Sequence, residues 1–123
     1  MTVRQFALRT SLLFIPYSAL AASLTITPAK VEFGVQAVNS ESPAATITLS
    51  NDLGQSVQLS EIIASGIDFV ASNDCKTELA PGARCSIQVR FKPLIQGDRT
   101  GIVEIVASDS ENPHFVPLTG KGQ

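Results

Sequence analysis

Few residues in this chain have chemical reach: two cysteines, one histidine, and scattered carboxylates and hydroxyls. Cys75 and Cys85 enclose the run Lys-Thr-Glu-Leu-Ala-Pro-Gly-Ala-Arg. Metal and redox cysteine pairs favour a tighter Cys-x-x-Cys, with further ligands or at a helix start, and neither context is present here. His114 stands alone after Pro113, without an HExxH pattern, so a solvent-facing turn residue is expected rather than a metal ligand or general base. Asp109, Glu111 and Asn112 offer oxygens, but their run lacks the spaced ligands, mid-loop glycine and closing glutamate of a calcium loop. An exposed hairpin turn is expected there. No serine lies in Gly-x-Ser-x-Gly, and a Ser-His-Asp arrangement would have to use His114. Gly120-Lys121-Gly122 is not followed by a helical pattern that could cradle phosphate. The expectation is a non-enzyme without catalytic residues, bound cofactor or metal.

The first residues supply the compartment. Arg4 and Arg9 precede the apolar run Leu12-Leu13-Phe14-Ile15 and the small-residue stretch Ala19-Leu20-Ala21-Ala22. That order is the signature of a secretory signal peptide over residues 1–21, cleaved after Ala21. Pro16 and Tyr17 break the run well short of the ~20 apolar residues that span a bilayer. No later stretch is long and apolar enough to cross a membrane as a helix. An exported chain with two cysteines is expected to carry one structural disulfide, Cys75–Cys85. Closing a loop of about ten residues stabilises by roughly 3 kcal/mol in the chain-entropy model. The protein is therefore expected to be extracytoplasmic, periplasmic or secreted.

Residues 22–123 have the length of one small domain. Without Arg4 and Arg9, seven cations face eleven anions, a formal charge of −4. Scattered cations in a mildly acidic domain leave no footprint for a phosphate backbone, so nucleic acid is excluded as a partner.

The elements that hold these residues follow a period of two, the strand period. Val31, Phe33 and Val35 alternate with polar residues or glycine, as do Ile47 and Leu49 with Thr46, Thr48 and Ser50. Ile87, Val89 and Phe91 are the clearest case, apolar on one face and polar on the other, as a half-buried antiparallel strand requires. From Val57 the parity would bury Glu61, so a bulge near Ser60-Glu61 is expected to turn Ile62 and Ala64 inward. Ile67 and Phe69 predict a short strand. Val103, Ile105 and Ala107 are expected to face the core, leaving Ile102 and Val106 outside beside Glu104. Val116 and Leu118 face inward in a last strand. Gly54, Gly66, Pro81-Gly82, Pro93, Gly97-Asp98 and Asn112-Pro113 punctuate the runs at the rhythm of a sandwich or barrel.

Several of these positions together resemble a known family. They are Phe33-Gly34, Ile47-x-Leu49-x-Asn51, Phe69, and Leu79-Ala80-Pro81-Gly82 between Cys75 and Cys85. Val89-x-Phe91-x-Pro93, Gly97, Gly101 and Val116-x-Leu118-x-Gly120-x-Gly122 complete the pattern. It looks like the choice-of-anchor D type of bacterial surface module, related to the immunoglobulin-like ASH domain of abnormal-spindle and hydin-type proteins. The major sperm protein fold is a more distant relative. The resemblance implies an all-β, immunoglobulin-like antiparallel sandwich of about seven strands, serving as a spacer or a docking module. Within it, Phe91 and Phe69 would supply large apolar burial, each roughly 1.5–3 kcal/mol. Pro81-Gly82 suits the centre of a type II turn. The Cys75–Cys85 bridge would tie neighbouring strands across that turn.

The expected function is docking to a protein or a cell-envelope component, with Ile102 and Val106 as the candidate contact surface. The alternative is a periplasmic chaperone or assembly subunit that pairs strands at a sheet edge.

Overall fold

A computed structural model describes residues 24–123, and the expected leader, residues 1–21, lies outside them. Nine strands run along this span: β1 (Leu24–Thr27), β2 (Val31–Gln36), β3 (Ala45–Asn51), β4 (Val57–Ser65), β5 (Phe69–Asn73), β6 (Glu78–Leu79), β7 (Arg84–Phe91), β8 (Gly97–Ala107) and β9 (His114–Gly122). They form two facing sheets, ordered β1-β3-β7-β5 and β2-β9-β8-β4-β6. No helix among the described residues is long and apolar enough to cross a membrane.

The strand count exceeds seven for two reasons. The first strand changes sheets at Pro28, so β1 pairs antiparallel with β3 while β2 pairs with β9. The β2–β9 pairing is parallel, a departure from the all-antiparallel expectation, because the chain enters the second sheet in the direction in which β9 leaves it. The second addition is β6, two residues that cross from one sheet to the edge of the other and pair with β4.

The alternation of apolar residues meets in the middle. Ile47, Leu49, Ile87, Val89 and Phe91 from the first sheet are fully buried against Val103, Ile105, Val116 and Leu118 from the second. Phe69 and Phe91 are cross-strand partners, their rings stacked at 5.0 Å, and Phe33 packs on both from the opposite sheet. Such aromatic contacts add about 0.5–1.5 kcal/mol beyond the burial itself.

The register of β4 against β8 slips between Leu59 and Glu61, the bulge expected from the sequence, and Ile62 and Ala64 pack on the core. Two expectations fail. Val35 does not share the inward face of Val31 and Phe33. Gly34, at φ +72°, inserts an extra residue between Glu32 and Val35, which resets the parity and leaves Val35 59% exposed. Ile67 lies before β5 rather than in it and is 75% exposed, because the turn closed by the Phe69 N–H to Gly66 O bond holds it away from the sheet.

Candidate functional site

Each sheet has an outer face, and the two faces differ in chemistry. On the four-stranded sheet, pairs across the strands are Thr25 with Ser50, Thr48 with Ser86, Thr46 with Gln88 and, at the β5 edge, Val70 with Arg90. Apart from Val70, 59% exposed, these are polar side chains that can bond one another, as Thr46 Oγ1 does in donating to Gln88 Oε1 at 3.1 Å.

The five-stranded sheet is different. Ile63 of β4, Glu104 of β8 and Phe115 of β9 form one row across it, and Ser65, Ile102 and Pro117 form the next. Val106 stands beyond them, opposite Glu61. The β4 bulge creates this surface: by turning Ile62 inward it turns Ile63 outward, to 45% exposure, in the same row as Phe115 at 52% and on the other side of Glu104. Ile102 and Val106, the two contact residues singled out from sequence, are half-buried and flank Glu104 along β8. A carboxylate is thus ringed by Ile63, Phe115, Ile102 and Val106. Glu104 makes no ion pair among the described residues.

Pro117 is tolerated within β9 because of where its nitrogen points. The Gln123 N–H bonds Gln36 O, and Gln123 O accepts from Val38 N–H, so odd-numbered residues of β9 direct their main chain toward β2. The first β2 partner is Val31, opposite Leu118, so the missing N–H of Pro117 removes no ladder bond. The half-strand His114–Pro117 therefore has a free edge. Beside it a groove of about 420 Å³ runs to the free edge of β1, walled by Leu24, Ile26, Ala29, Pro113 and Val116.

Cys75 and Cys85 are bonded to each other. Cys75 continues the register of β5 against β7, in which Asn73 faces Ile87, and Asp74 N–H bonds Ser86 O at 3.1 Å. Between the cysteines the chain visits the other sheet as β6 and returns through the turn Ala80–Ala83, with Gly82 at φ +78° and an Ala83 N–H to Ala80 O bond of 2.9 Å. The bridge closes the mouth of that excursion. Asp74 lies beside both cysteines, yet the sulfurs are consumed in the bridge and its Oδ1 accepts the Ser86 N–H at 2.7 Å.

His114 faces Asp109, with Nε2 3.0 Å from each carboxylate oxygen, across the β8–β9 turn. Glu111 and Asn112 are exposed on the same turn. The geometry is that of a turn clasp.

The sequence reading did not expect the burial of three polar residues, Ser42, Asn51 and Asp68. Asn51 is fully buried: its Nδ2 donates to Gln55 O and Leu79 O, and its Oδ1 accepts from Leu53 N–H. Its parity with Ile47 and Leu49 was the signal that could have found it. Asp68 is 2% exposed, accepting from Leu94 N–H at 2.9 Å and Arg99 Nε at 2.7 Å. It sits between two apolar residues, and no local pattern announces it.

This two-sheet fold, with a first strand that switches sheets and an outer face left apolar, defines an immunoglobulin-like β-sandwich module. The chain belongs to the ASH family: the family model described as abnormal spindle-like microcephaly-associated, ASPM-SPD-2-Hydin, matches residues 19–115. No curated protein matches it by sequence. Among solved structures it is similar to the secreted serine protease VesC of Vibrio cholerae, with a TM-score of 0.65 and 18% identity over 86% of this chain and 24% of that one. It is similar to the ASH/PapD-like domain 7 of human CEP192, with a TM-score of 0.60 and 17% identity over 93% of this chain and 95% of that domain. It is also similar to the CsuC–CsuE chaperone–tip adhesion subunit pre-assembly complex of Acinetobacter baumannii pili, with a TM-score of 0.60, 11% identity, and coverage of 83% and 53%. The chain spans between 24% and 54% of the first three such structures, and at these identities the likeness is one of fold.

Proposed function

We propose that the protein is an exported, non-catalytic module that docks another protein at the cell envelope through the outer face of its five-stranded sheet. The carrying observation is the contrast between the two outer faces. The four-stranded face is mostly Thr, Ser, Gln and Arg with Val70 exposed alone at its β5 edge, whereas Ile63, Ile102, Val106, Phe115 and Pro117 gather on the five-stranded face as an apolar surface of the kind that marks interaction sites. The expected leader over residues 1–21 and the Cys75–Cys85 bridge support an oxidising compartment outside the cytoplasm. Membership of the ASH family, matched over residues 19–115, supports a docking module over an enzyme in this reading.

The test is cross-linking in living cells from a photoreactive residue at position 102 or 115. A specific adduct is expected, lost on Ile102→Asp or Phe115→Asp while the melting temperature stays within a few degrees. Export is tested separately by fractionation and N-terminal sequencing, with Ala22 as the expected first residue.

A second reading is strand addition, supported by the free edges of β1 and of His114–Pro117 on either side of an apolar groove. A neighbour described as a chaperone–subunit pre-assembly complex supports it at the level of fold. Cross-links from position 26 rather than 102 would favour it.

A further inference from the structure

Glu104 is the feature of the outer face that docking alone does not explain. Its strand neighbours are Ile102 and Val106, and its cross-strand partners are Ile63 and Phe115, so four apolar side chains surround one carboxylate. Among the described residues no cation pairs with it. The nearest other charge on this half of the face is Glu61, opposite Val106, which is also an anion. In the free protein water satisfies Glu104. Once a partner covers the apolar ring that water leaves, and a desolvated carboxylate without a counter-charge is strongly unfavourable.

We infer that the face takes a partner segment presenting one guanidinium or ammonium group among apolar side chains, seated on Glu104. This rests on the docking proposal above and adds the partner's chemistry. Arginine suits the position best, because its planar fork can engage both carboxylate oxygens while its stem and plane pack on Phe115. Charge also decides against two other occupants. A two-fold contact between copies centred on Glu104 would press carboxylate on carboxylate, and an anionic membrane surface would be repelled by Glu61 and Glu104.

The experiment measures binding of the purified, disulfide-bonded protein to nine-residue synthetic peptides that alternate Val and Thr around a central Arg, Lys, Gln, Leu or Glu. Arg- and Lys-centred peptides are expected to bind at least about tenfold more tightly than Leu- or Glu-centred ones, in keeping with coupling energies of close interfacial charge pairs. Glu104→Gln should erase that preference and Glu104→Arg should invert it toward the Glu-centred peptide. Leu-centred peptides matching the Arg-centred ones, or no peptide binding at all, would overturn the inference. Loss of binding in Ile102→Asp with no effect of Glu104→Gln would keep the docking face and sink its cation. Indifference to both substitutions would sink the docking face itself. A second measurement needs no ligand: Glu104→Leu should raise the melting temperature, since an apolar side chain completes the ring. A fall would make Glu104 a structural residue and overturn the inference.

Discussion

Gly120 of β9 lies so close to the Phe91 ring of β7 that a Cβ there would stand 2.4 Å from Cε2 and 2.6 Å from Cζ. The ring crosses the sandwich and rests on the opposite sheet's backbone, and glycine is what lets the two layers close. Gly120→Ala is therefore expected to destabilise by about 1–3 kcal/mol through overpacking, read as a lower urea midpoint. Combining it with Phe91→Leu should cost less than the sum of the two single changes, because the smaller side chain vacates the clash. Strict additivity would show that the ring and the glycine do not share this space.

Asn51 closes β3 by tying three segments to one side chain. Asn51→Ala would strand Leu79 O in a buried setting and leave Gln55 O and Leu53 N–H, both part-buried bonds, without their partner. The expected loss is about 3 kcal/mol, at the upper end for unsatisfied buried groups. Asn51→Asp should not rescue it, since a carboxylate cannot donate to the two carbonyls. Denaturant unfolding of the three proteins checks the order.

Asp68 and Arg99 join the turn after β4 to the start of β8, and Asp68 also holds the Leu94 amide. Asp68→Ala leaves that amide and a three-quarters-buried guanidinium without their partner. A cost of about 3 kcal/mol is expected, the low end for breaking a buried pair because Arg99 retains some water. Amide exchange should accelerate first at Leu94. Unchanged exchange there would show that the carboxylate does not anchor this loop.

The parity of Ile87, Val89 and Phe91 carried the core, and the conflict at Glu61 located the β4 bulge, because both are local signals with a period of two. The exposed Ile63–Glu104–Phe115 row was half legible: the bulge implies that Ile63 turns outward, but only the β4–β8–β9 register sets it beside Glu104, with Phe115 on the far side. The parallel entry of β2, the free half-edge of β9 and the Asp68–Arg99 pair were not legible. They depend on which strand lies next to which, over separations such as the 31 residues between Asp68 and Arg99. The spacing of Gly101 and Gly120 was visible as a pattern, while its cause, the rings of Phe69 and Phe91, appears only when the sheets face each other.

The bridge between Cys75 and Cys85 spans ten positions and holds a segment with little else to fix it. β6 has two residues, pairs only with Val57 and Gln58, and is otherwise anchored by the Leu59 N–H to Thr77 O bond and the Asn51 side chain. Without the bridge the unfolded chain regains the freedom of that loop, worth roughly 3 kcal/mol in the chain-entropy model. The Cys75→Ser, Cys85→Ser double substitution, which leaves no lone thiol, is therefore expected to lower the melting temperature by well over 10 °C for a domain of this size. Exchange of the Leu59 amide should rise more than that of Ile105 in the adjacent strand, because the loss begins at β6. The oxidised wild-type protein should lose the same stability on reduction. Equal melting temperatures with and without reductant would mean that β6 is held by its packing, and that the sulfur link contributes nothing to the fold.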